Sequence, residues 1–113
     1  MKLYVTNGLH FSIPGRRMSA HWTKEAAEAA ALAMVCDLAR DVEEDMAITA
    51  APADWRKALI QVQRVRFAQL ADAEMAEDAS EDELLEGTEC TVWIDEHELA
   101  DVQLVVNMTG GRW

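Results

Sequence analysis

Apolar and polar residues alternate at the start of the chain and then give way to a helical period. Lys2-Leu3-Tyr4-Val5-Thr6 and Leu9-His10-Phe11-Ser12-Ile13 are both β-prone, and Asn7-Gly8 stands between them. An Asn-Gly pair tolerates the positive φ of a type I′ turn, so the pattern predicts a two-residue hairpin. Leu3, Val5, Leu9, Phe11 and Ile13 would share one face of it, with Pro14-Gly15 ending the second strand. Arg16 to Trp22 reads as a basic loop.

From Thr23 onward the spacing is helical. Thr23 suits an N-cap and Glu25 meets the helix dipole in the first turn. A helix is predicted over 24–46, with Ala31, Leu32, Val35, Leu38, Ala39, Val42 and Met46 as its buried stripe. After a short connection over 48–51, Pro52 suits the start of a second helix over 52–77. Its inner stripe is Trp55, Leu59, Val62 and Leu70, widened by Ile60 and Phe67. Ser80 and Glu83 have the spacing of a capping box, and Gly87 suits the residue after a helix, so a short helix is expected over 81–86. A strand over 89–94, a turn at Asp95 to Glu98 and a strand over 100–107 follow, and 109–113 reads as a flexible tail.

These elements predict a single α+β domain over 1–108. Two terminal hairpins would form a four-stranded antiparallel sheet in the order β-β-α-α-β-β, covered on one face by two helices. Apolar residues on both faces of the last strand, at Leu104, Val105 and Val106, leave room for an edge contact or a homodimer.

Composition sharpens this picture. Half of the residues are hydrophobic, enough for a core, but Phe and Tyr total only three. Trp22, Trp55 and Trp93 are therefore expected to be the core's largest pieces. Cys36 and Cys90 form no CxxC pair, and no apolar run follows Met1-Lys2-Leu3 as a secretory signal requires. A cytoplasmic protein with two free, buried thiols is expected, with no membrane association.

Charge changes the picture most. The net charge is -11, and between Asp72 and Asp101 there are thirteen acids and no Lys or Arg. The first twenty-four residues hold four basic side chains and no acid. Asp72, Glu74, Glu77, Asp78, Glu81, Asp82, Glu83, Glu86 and Glu89 fall within eighteen residues. Were that stretch mostly helical, it would span about 25 Å. Such a carboxylate array suits a groove made for phosphates, while direct binding to nucleic acid works against it. Arg16, Arg17 and Lys24, with His21 nearby, form a candidate secondary basic patch.

Other chemistry finds little footing. No GxSxG, HExxH, phosphate loop or calcium loop is present, so no catalytic residue, metal ligand or cofactor is assigned. Asp95-Glu96-His97-Glu98 has ligand-type residues, but neighbours in a turn diverge. In overall profile the chain resembles the small inhibitor proteins carried by phages and mobile elements, anti-CRISPR proteins among them. That resemblance implies an inhibitor that binds a protein. The expectation is a non-enzymatic binding protein whose acidic surface engages a basic, nucleic-acid-handling protein. The alternative is an assembly or accessory subunit that forms homo- or hetero-oligomers through the apolar face of the 99–106 strand, joined by Trp113.

Overall fold

The computed structural model describes residues 2–70, 77–87 and 89–98. Within them the protein is α+β. Strands β1 (Lys2–Leu9), β2 (Arg16–His21) and β3 (Thr91–Glu98) form an antiparallel sheet in the order β2-β1-β3. The element order is β-β-α-α-α-β. The described sheet thus has three strands where the sequence pattern predicts four. The predicted strand over 100–107 and the tail over 109–113 lie outside the described residues.

The first hairpin is displaced from its expected position. β1 runs straight through Asn7-Gly8, pairing with β3 from Lys2 to Leu9 and with β2 from Tyr4 to Leu9. Asn7 tolerates this because its amide is used inside the sheet. It donates to the Val5 carbonyl at 3.1 Å and to Asp95 Oδ2 at 3.2 Å, and the residue is 1 % exposed. The turn falls instead over 10–15, where Gly15 takes φ +93. The predicted second strand is therefore mostly turn, and the predicted basic loop is the edge strand β2. His10 organises this turn. Its Nδ1 accepts the amide hydrogens of Ser12 and Ile13 at 3.0 and 3.2 Å, and its Nε2 lies 2.7 Å from Asp41. Two amide donors on Nδ1 place the ring proton on Nε2, where it donates to Asp41.

The predicted turn at Asp95 to Glu98 is likewise strand, its residues pairing with Val5 to Lys2. At both places polar residues with turn character are drawn into strands because a neighbouring strand supplies hydrogen bonds to them.

Helix α1 spans Lys24–Val42, and the Thr23 hydroxyl accepts the Ala26 amide hydrogen at 3.2 Å. It stops short of the predicted end: Glu43 turns extended at φ -153. Glu43, Glu44 and Asp45 would extend the helix with acids at its negative pole, which is unfavourable. A 3-10 turn at Pro52–Asp54 leads into α2, Trp55–Leu70. The two helices run parallel. Gln69 Nε2 donates to the Val42 carbonyl at 2.9 Å, joining their ends, while Lys24 and Glu28 share a cavity with Ala53 and Arg56 at their starts. The chain between them returns alongside α1 and packs Met46 and Ile48 on the core.

Both helices cover the same sheet face, where the Thr6 hydroxyl donates to the Ala27 carbonyl at 2.8 Å. Ala31, Val35, Leu38, Leu59 and Val62 meet Val92 there, with Ile94 against them. On the opposite face Leu3 and Val5 form a second, smaller cluster with Met18 against it. Trp55 is a core residue as expected, whereas Trp22 is 57 % exposed and Leu70 is 53 % exposed. Helix α3 spans Glu81–Glu86 as the capping pattern predicts. Ser80 Oγ accepts the Glu83 amide hydrogen at 3.2 Å, and Gly87 follows at φ +66.

Candidate functional site

The acidic stretch stands on a tightly built base. α3 turns Leu84 fully inward. Its backbone then reverses at Gly87, whose N–H reaches the Glu83 carbonyl at 3.1 Å. A side chain at Gly87 would collide with the Cys90 carbonyl and the Gln63 amide, so the approach there requires glycine twice over. Gln63, wholly buried, clamps the reversal. Its Nε2 donates to the Cys90 carbonyl, and its Oε1 accepts the Cys90 thiol hydrogen at 3.3 Å. The Thr91 hydroxyl donates to the Leu85 carbonyl. This hydrogen-bonded foot ties α3 to both α2 and β3. Gln63 is not among the apolar positions of the predicted stripe; its spacing four residues after Leu59 is the one available signal.

On that foot the carboxylates point outward. Glu77, Asp78, Glu81, Asp82, Glu83, Glu86 and Glu89 are all exposed, while Asp72 and Glu74 lie outside the described residues. Among the described residues only Glu89 of this set has an ion pair, with Arg66 at 2.6 Å. Arg66 in turn lies over the Phe11 ring at 4.2 Å. The array is not the straight rod the sequence suggests. It breaks at Ala79-Ser80, restarts as α3 and reverses at Gly87. Glu81, Asp82 and Glu83 occupy the first turn of α3, where the helix dipole favours negative charge.

The basic residues are not gathered in the same way. Arg16 and Arg17 are consecutive in β2 and so point to opposite faces of the sheet. Arg17 faces α1 and pairs with Asp37 at 2.8 Å, and Arg40 pairs with the same carboxylate. Lys24 opens α1 and lines a cavity with Glu28 and Glu96. His21 Nε2 lies 2.8 Å from Ser19 Oγ, and burial lowers its pKa.

Asp41, His10 and Ser12 form a chain of contacts that sequence reading missed, with His10 Nδ1 3.2 Å from Ser12 Oγ. Its connectivity is that of a hydrolytic triad. The Nδ1 lone pair already accepts two backbone amides, so it is not free to take the hydroxyl proton. The arrangement pins a turn. Burial pushes the Cys90 thiol up to about 11 and raises Cys36 as well, so neither is an activated nucleophile. Among the described residues no three His, Cys, Asp or Glu side chains converge as a metal site. No helix among them is long and apolar enough to cross a membrane. The apolar strand face expected over 99–106, and Trp113, lie outside the described residues.

No protein-family model matches this chain, and no curated protein or solved structure matches it either.

Proposed function

We propose that this is a non-enzymatic binding protein that docks the acidic surface carried by α3 and its flanks onto a basic surface of a partner protein. The nucleic-acid groove of a host complex, blocked by an inhibitor of phage or mobile-element type, is the partner surface that best fits this charge. One observation carries the reading. Six of the seven described carboxylates between Glu77 and Glu89 are exposed without an ion pair among the described residues, beside a base that hydrogen bonds tie to α2 and β3. Clustered surface charge without an ion pair repels itself in the free protein and is available to steer and hold an oppositely charged partner.

The test is a tagged pull-down from nuclease-treated lysate at low and high salt, beside a variant with Glu77, Asp78, Glu81 and Asp82 reversed to Lys. Wild type alone should recover a basic, nucleic-acid-handling complex and lose it at high salt. Recovery by both proteins at both salts would defeat the reading. Because Lys at the first turn of α3 opposes the helix dipole by about 0.3–1 kcal/mol per site, a Gln and Asn version of the variant separates lost charge from a weakened helix.

A further inference from the structure

Beside the acidic residues lies a groove of about 320 Å³ between α3 and β3. Trp55, Leu85, Val92 and Trp93 line it, with Thr91 at the start of β3 and Glu86 on α3. Trp55 and Val92 belong to the core and hold the walls in place, while Leu85 and Trp93 remain partly exposed. The Trp93 indole is fixed by donating to Asp95 at 3.1 Å. Arg56 lines it from α2, with its guanidinium over the Trp55 ring at 5.1 Å. Leu85 and Glu86 line it from α3, with Glu81, Asp82 and Glu83 on the preceding turn of that helix.

Charge alone binds weakly and with little selectivity in salt, whereas a desolvated apolar anchor ringed by charge supplies affinity and register. The groove and the carboxylates are adjacent on one short helix. We infer that this groove is the anchoring pocket of the acidic surface: it takes an apolar side chain from a lysine- or arginine-bearing segment of a partner protein, whose cations lie along Glu86 and the first turn of α3. Arg56 sets the direction, since it repels cations from the α2 side while Glu86 attracts them on the α3 side. The inference rests on the binding function proposed above and names the chemistry of the segment bound.

Three short peptides of alternating sequence test it: lysine with leucine, lysine with serine, and glutamate with leucine. Binding to the full chain is followed by the indole N–H resonances of Trp55 and Trp93, assigned by Trp→Phe variants. The Lys-Leu peptide should shift both indoles and bind at least about tenfold more tightly than the Lys-Ser peptide, the usual effect of a good anchor. The Glu-Leu peptide should bind least. Trp93→Ser should remove the advantage of leucine, and Glu86→Lys, at an exposed position, should weaken the Lys-Leu peptide several-fold without disturbing the fold. Equal binding of the two lysine peptides with unmoved indoles would overturn the groove and leave the acidic surface standing. Equal binding of the Glu-Leu and Lys-Leu peptides would overturn the basic partner segment. Failure of both lysine peptides to bind would overturn the groove together with the function on which it rests.

Discussion

The two charged regions of this protein are built on opposite plans. Between β2 and α1 the facing charges are matched: Arg17 and Arg40 share Asp37, Asp41 accepts from His10, and the turn at Gly15 has open space around it. Around α3 the backbone is locked through Gly87, Gln63 and Cys90, and the carboxylates above it go largely unmatched. The difference teaches that charge density along a sequence does not measure available charge. Availability depends on whether the fold brings an opposite charge within reach.

The comparison can be broken most forcefully at its two glycines. Gly87→Ala forces a side chain into φ +66 and into the Cys90 carbonyl and Gln63 amide. Left-handed strain and overpacking together should cost about 3 kcal/mol or more. Gly15→Ala, at φ +93 with nothing nearby, should cost only about 1 kcal/mol. Urea melts of the two variants measure the gap, and equal losses would erase the claim that only the α3 base is tightly built.

Gln63→Leu comes next. It keeps an apolar fill but leaves the buried Cys90 carbonyl without its donor, which should cost about 1–3 kcal/mol. A loss confined to α3 and the start of β3 is expected in hydrogen exchange. Uniform loss of protection across α1 would place Gln63 in the general core rather than in the foot.

The thiols sharpen the same contrast. Burial raises Cys90 to about 11, above the unfolded value, so its neutral form is favoured in the folded state. Its contribution to stability is complete below the unfolded thiol pKa of about 8.5 and is lost as pH climbs from there toward the folded value. Stability should fall over that interval, and less so in Cys90→Ala. At pH 8 a disulfide reagent should label half-buried Cys36 before Cys90. Faster labelling of Cys90 would mean that the foot opens readily.

The smallest effect is expected on the paired side. Arg17 and Asp37 are each about one-third exposed at the side chain, 32 % and 34 %. Arg17→Ala should cost no more than about 1 kcal/mol, as exposed pairs do. A double-mutant cycle with Asp37→Ala measures the pair directly.

Much of the helical part of this fold is legible in the sequence because its signals are local. Thr23, Pro52, Ser80 and Gly87 each act within one turn of their own position, and each sits where the pattern places it. Leu3 and Val5 share a face in either hairpin register because strand alternation has a period of two. The acidic block was legible as composition, but not its bend at Ala79-Ser80, nor the groove beside it, which draws residues from α2, α3 and β3.

What only the tertiary structure decided involves partners distant in the chain. Asn7-Gly8 is a turn by propensity and a strand in fact, because Asp95 receives the Asn7 amide and β3 hydrogen-bonds across the pair. The parallel course of α1 and α2 has no local signature; it is set by which sheet face both helices must cover and by Gln69 reaching Val42. Whether a charge is spent or free is likewise a matter of distance in space. The sequence by itself determined the helices, their caps and the surplus of acid. The fold decided that Arg17 would be neutralised by Asp37 while Glu77 to Glu86 would face outward, because Coulomb energy falls with separation and only folding sets the separations.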